Sequence, residues 1–148
     1  MGQYDRRTQQ ILTGQGSIAS IQYKMAPALA GSGVAFAVLA AGAGPGWGAY
    51  TDLINGGGLA VATEFWVVGL QVQSAAVIQI HDLQVYNSTL ALAIGNWEVD
   101  ITAKTVNIGT MPIGPYPVYC AQPSVIQART GGAAASAINC RLAYAIGL

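Results

Sequence analysis

The chain has 148 residues and only twelve formal charges, six Lys/Arg and six Asp/Glu, which cancel to a net charge of zero. That is 8% charged residues, where an ordinary soluble domain carries about 25%. A mean hydropathy of +0.44 with no net charge excludes disorder by composition, and six cations balanced by six anions exclude a basic face for sequence-independent nucleic-acid binding.

The length fits a short arm and one domain. Residues 1–16 read as the arm: Tyr4 is followed by Asp5, Arg6 and Arg7, which place three of the twelve charges side by side, and Gln, Thr and Gly follow with little to pack. Residues 17–148 read as a single β-sandwich. Residues 17–24 (SIASIQYK) and 34–40 predict strands, 42–48 a loop, 49–54 a short extended piece and 55–58 (NGGG) a turn. Residues 63–73 (TEFWVVGLQVQ) are rich in aromatic and β-branched side chains and predict a strand, as do 76–85 (AVIQIHDLQV). Two further strands are expected at 88–93 and 98–104, with a turn at Gly95-Asn96 between them. TMPIGPYP is too Pro-rich for a central strand. Strand pieces follow at 116–120 and 124–129, then a turn at Gly131-Gly132. The strongest pattern closes the chain: in INCRLAYAI, Ile138, Cys140, Leu142, Tyr144 and Ile146 alternate with polar or small residues, a half-buried strand. Gly and Pro interrupt every candidate helix. The whole is expected to be all-β, an antiparallel jelly-roll-like sandwich with an extended N-terminal arm.

So few charges raise the question of where the surface goes. No charge falls between Lys24 and Asp52, but that stretch is mostly Ala and Gly with Pro27 and Pro45, and its one continuous apolar block is of strand length. A second uncharged span, 105–128, contains four prolines, so no membrane span is expected. The start of the chain shows no secretory signal. Asn87-Ser88-Thr89 fits a glycosylation acceptor, which matters only in a secretory setting. Cys120 and Cys140 have no metal-type spacing and read as two buried thiols, with a disulfide between them as the alternative.

Chemistry-bearing patterns are weak. Gly44-Pro45-Gly46-Trp47-Gly48-Ala49 fits a dinucleotide fingerprint, with Glu64 downstream, but glycines stand where its helix must run. His81 is the single His, and Asp82 next to it belongs on the opposite face of a strand. Glu98 and Asp100 share a face, as a solvated or subunit-facing edge would. No catalytic residue, metal or cofactor is expected. Among the aromatics, Trp66 reads as core. Trp47 and Trp97, beside glycine turns, read as exposed and, with Tyr50, Tyr116 and Tyr119, are the candidates for a subunit interface.

Residues 63–148 resemble a small β-domain of tailed-bacteriophage virion proteins. The resemblance rests on an aromatic strand (EFWVVGLQV), a Pro-rich approach to Ile126-Gln127-Ala128-Arg129, a glycine-rich turn, and the closing strand Asn139-Cys140-Arg141-Leu142-Ala143-Tyr144-Ala145. It departs from that group at AVIQIHDLQVYNS, where an acidic-Gly segment is more usual. It implies a jelly-roll-like head decoration (cement) or minor capsid protein, made in the host cytoplasm and located on the virion. Such a protein forms a homo-oligomer, most often a trimer, and contacts the major capsid protein, here through an arm comprising Tyr4, Asp5, Arg6 and Arg7. The rival readings are a tail or fibre-associated carbohydrate-binding module, a single jelly-roll major capsid protein, and a small β-sandwich hydrolase in which His81 would face a carboxylate-bearing pocket.

Overall fold

The structure, a computed structural model, describes residues 21–27, 37–40, 42, 44–54, 64–121 and 123–147. The expected arm, residues 17–20 and 34–36 of the first two expected strands, and the turn at 55–58 lie outside the described residues. No helix occurs among the described residues.

Among the described residues, eleven strands form two antiparallel sheets. They are β1 (Gln22–Ala26), β2 (Ala37–Leu39), β3 (Gly46–Trp47), β4 (Thr51–Ile54), β5 (Phe65–Ala75), β6 (Ile80–Asn87), β7 (Leu92–Asp100), β8 (Thr105–Pro112), β9 (Val118–Cys120), β10 (Ile126–Gly132) and β11 (Ile138–Ile146). β1 and β2 pair with successive stretches of β11, β8 and β9 with successive stretches of β5, and β3 and β4 with successive stretches of β10. Each sheet therefore has four strand positions. The first runs β1/β2–β11–β5–β8/β9 and the second β3/β4–β10–β6–β7. Successive positions alternate between the sheets except at the β6–β7 hairpin, which is the path of a jelly roll.

The core lies between the sheets. β5 and β11 supply Phe65, Val67, Leu70, Val72, Leu142 and Tyr144, and the opposite sheet supplies Leu83, Val85, Ile126 and Ala128. In β11, Ile138, Cys140, Leu142 and Tyr144 are buried in the core and Ile146 packs against it; burial alternates as far as Leu142, beyond which Ala143 and Ala145 on the opposite parity are buried as well. The irregularity falls on β5. Its register shifts twice against β11, so that Val67 and Leu70 pair with Tyr144 and Leu142 and both point inward. One shift adjoins Gly69, where a Cβ would collide with the Met111 carbonyl of β8; only glycine admits that approach.

Several expected boundaries move. Residues 88–91 form the turn of the β6–β7 hairpin rather than a strand, closed by Ser88 N–H to the Val125 carbonyl (2.9 Å) and by Leu90 N–H to the Asn87 side-chain oxygen (3.1 Å). Gly95-Asn96, expected as a turn, lies inside β7, where Gly95 pairs with Val85 and Asn96 with Gln84. Glycine is needed there for packing: a Cβ at Gly95 would lie 2.8 Å from the Ile113 side chain and overlap the Trp97 ring. Gly131-Gly132, also expected as a turn, ends β10 and pairs with both β3 and β6. The expected loop at 42–48 contains β3, and the Pro-rich TMPIGPYP begins inside edge strand β8, which ends at Pro112.

Cys120 and Cys140 are free and buried. They pair with Phe65 and Val72, seven residues apart along β5, which is roughly 23 Å of strand and far beyond disulfide reach. Burial pushes the Cys140 thiol up to about 12, and the Cys120 thiol up to about 11 against the lowering contact of the Asn87 amide. Both are neutral at physiological pH.

Candidate functional site

The two outer faces differ in chemistry. On the first sheet, Tyr23, Ala145, Trp66 and Tyr119 are successive cross-strand partners from β1 to β9, so one row crosses all four positions. Tyr23 is 74% and Tyr119 53% exposed, and Trp66 meets Tyr119 edge to face at 5.5 Å. The neighbouring row, Met25–Ala143–Gly69–Pro112, is also uncharged and has small residues at its centre. Beyond it a polar row satisfies itself: Arg141 Nε donates to Gln71 Oε1 (2.8 Å), and Gln71 Nε2 donates to Thr110 Oγ1 (2.8 Å). Trp66, expected in the core, is therefore an outer-face residue, because Phe65 and Val67 take the inward positions on either side of it.

The outer face of the second sheet carries a stacked column. The rings of Tyr86 and Tyr50 stack at 4.8 Å, and the Arg129 guanidinium lies 4.5 Å from the Tyr50 ring centre and 4.6 Å from that of Trp47. Gln84 anchors the column from the adjacent strand: its Oε1 accepts from Tyr50 Oη (2.7 Å) and Arg129 Nε (2.8 Å), and its Nε2 donates to Asn96 (2.8 Å).

One row further along, Trp47, Gly131, Asp82 and Glu98 are successive partners across the sheet. Gly131 has no side chain, so the row is open between the Trp47 ring and the two carboxylates. The result is a surface groove of about 390 Å³, lined also by Pro45, Ile80 and Gly132. A Cβ on Gly131 would lie 3.4 Å from the Trp47 ring, and one on Gly132 would lie 2.7 Å from Gln79 Nε2. Gln79 in turn fixes the rim, donating to the Ala134 carbonyl (2.9 Å) and accepting from its N–H (3.0 Å). Asp82 and Glu98 are exposed and directly opposite each other, and neither has a hydrogen-bond or ion-pair partner among the described residues.

The expected interface aromatics therefore separate. Trp47 (41% exposed) and Tyr50 belong to the column on the second sheet, and Tyr119 to the row on the first. Tyr116, 80% exposed, lies in the loop between β8 and β9. Trp97 departs from expectation: it pairs with the core residue Leu83, its ring lies over Gly95, and its Nε1 donates to the Pro112 carbonyl (3.2 Å). Tyr4, Asp5, Arg6 and Arg7 lie outside the described residues. The sequence expectations did not include Tyr23 and Trp66 as surface residues; Phe65, Trp66 and Val67 are all apolar, so that stretch carries no signal of which parity faces out.

His81 and Asp82 point to opposite faces, as neighbours on a strand do. His81 is fully buried; its Nε2 lies 3.0 Å from the Val77 carbonyl oxygen and its Nδ1 has no partner. The pocket-facing His–carboxylate pair that a hydrolase needs is not formed by His81. Gly46 and Trp47 are paired as strand β3 where a dinucleotide fingerprint requires a helix to begin. Asn87 is fully buried with its amide group engaged, which removes it as a glycan acceptor in the folded state. Among the described residues no group of three or more His, Cys, Asp or Glu could hold a metal ion. Comparison with known proteins finds no significant match to a family model, a curated protein or a solved structure.

Proposed function

We propose that the chain is a virion structural protein, a capsid decoration (cement) subunit that works as a homo-oligomer, a trimer, on the shell of a tailed phage. The observation that carries this reading is the pair of uncharged rows on the outer face of the first sheet, Tyr23–Ala145–Trp66–Tyr119 and Met25–Ala143–Gly69–Pro112. Obligate interfaces are depleted of charge and enriched in Tyr, Trp and Met, and this face has that character across the full width of the sheet. The reading also accounts for the composition: a chain with twelve charges in 148 residues stays soluble when its least polar face is covered by other copies. The jelly roll is a frequent capsid architecture, which supports the reading only by analogy. The major capsid protein is the partner on the shell, and the virion surface is the location.

The test is the mass of the purified chain in solution, followed by binding to shells that lack it. A trimer that binds such shells is expected. Trp66→Glu places a charge in the middle of the aromatic row and is expected to yield folded monomers that no longer bind.

A carbohydrate-binding module is the second reading. It is favoured by the half-exposed Trp47 beside Asp82 and Glu98, since an aromatic face and acidic acceptors suit a sugar ring and its hydroxyls. A glycan array probed with the chain, and again with Trp47→Ala, tests it: binding lost in the variant supports it, and no binding removes it.

A further inference from the structure

The groove beside Trp47 has a charge pattern of its own. Directly opposed like charges on neighbouring strands repel, yet Asp82 and Glu98 occupy one cross-strand pair and neither forms an ion pair among the described residues. A neutral sugar would leave that repulsion in place. A cation between the two carboxylates removes it, and a guanidinium does so with two-pronged hydrogen bonds. The aromatic wall suits the same ligand. Trp47 already takes one guanidinium, that of Arg129, at 4.6 Å, and its remaining exposed surface lines the groove.

The chain supplies a matching donor. The described residues contain five carboxylates against four cations, and Asp5, Arg6 and Arg7, with one net positive charge between them, restore the balance. We infer that the groove binds the Arg6–Arg7 segment of a neighbouring copy of this chain, a guanidinium lying against Trp47 and pairing with Asp82 and Glu98. β1 begins at Gln22, opposite Ile146 at the far end of β11, whereas the groove lies near the β10–β11 connection and on the other sheet, roughly 26 Å along β11 and about 10 Å across the sheets. The fifteen residues from Arg7 to Gln22 extend to about 50 Å, enough to reach the groove of their own chain as well, so the choice of a neighbour rests on the assembly reading. A head-to-tail contact of this kind closes into a ring in a symmetric oligomer. The inference rests on the assembly reading, to which it adds where the arm goes.

The test uses full-length chains. A fluorescent peptide of residues 1–10 is titrated into the Arg6→Ala/Arg7→Ala chain, whose groove is left free, and binding is followed by anisotropy. Saturable binding that weakens with added salt is expected. It should fall roughly ten-fold or more when Asp82→Asn and Glu98→Gln are added, with an unchanged circular dichroism spectrum confirming the fold. In the otherwise natural chain, Asp82→Asn/Glu98→Gln is expected to raise the concentration at which the oligomer dissociates. Peptide binding that ignores both carboxylates overturns the inference, as does the absence of binding. An oligomer whose dissociation is unchanged by the carboxylate substitutions overturns the assignment to a neighbouring copy. Binding of a neutral glycan at Trp47 in competition with the peptide gives the groove to a sugar. A chain that is monomeric yet binds the peptide refutes the assembly reading, while the carboxylate dependence still reads the groove itself.

Discussion

The guanidinium of Arg129 lies between two rings, 4.6 Å from the centre of Trp47 and 4.5 Å from that of Tyr50, while its Nε donates to Gln84. A planar cation is required for this position, because it stacks on both sides and also makes an in-plane hydrogen bond. Lysine keeps the charge and loses the stacking. Arg129→Lys is expected to destabilise the fold by about 1–2 kcal/mol in urea denaturation and to shift the Trp fluorescence as Trp47 loses its neighbour. An unchanged midpoint and spectrum would show that the column contributes nothing.

Trp97 needs Gly95. Its ring occupies the space a side chain at Gly95 would fill, with Ile113 on the other side. Gly95→Val is expected to cost about 1–3 kcal/mol through overpacking and to alter the near-ultraviolet circular dichroism of the displaced indole. Gly109→Ala in β8 is the control: a Cβ there meets nothing within 4 Å, so stability should stay within about 0.5 kcal/mol.

Ala91, in the β6–β7 turn, has φ of 52°, a left-handed conformation that L-residues other than Asn, Asp and His rarely adopt. Glycine relieves that strain but gives the unfolded chain more freedom. Ala91→Gly is therefore expected to gain a net ~0.5–1 kcal/mol, read as a higher thermal midpoint; a lower midpoint would contradict the strain.

The buried thiols make the fold sensitive to alkali. The fold holds Cys140 and Cys120 in their protonated forms, at about 12 and about 11 against 9.0 for a free thiol, and burial raises Tyr144 as well. The unfolded chain loses these protons first. The stabilisation is complete below about pH 9 and is lost as pH rises from there towards 12. The thermal midpoint should fall over that range, and fall less steeply in Cys140→Ala. Parallel curves for the two proteins would count against it.

The sequence pattern reveals the all-β architecture and the core-facing residues of strands such as β11, whose large apolar residues at every second position meet the core. It misled where a glycine served packing rather than a turn. Gly95 makes room for Trp97, and Gly131 opens the groove between Trp47 and Asp82. Neither role has a local signature, since each depends on a residue from another strand or on the space a neighbour leaves. Trp66 was misassigned because an apolar segment hides which parity faces in. The opposition of Asp82 and Glu98 could not be read from sequence while Gly95-Asn96 was taken as a turn, because the register of the β6–β7 hairpin sets it.

The central claim is that the outer face of the first sheet is covered by other copies of the chain. Light scattering across a wide concentration range tests it most directly, with the natural chain and Trp66→Glu measured side by side. A stable trimer that becomes a folded monomer in Trp66→Glu is the predicted result. A natural chain that stays monomeric at every concentration, with Tyr23, Trp66 and Tyr119 facing water, would contradict it.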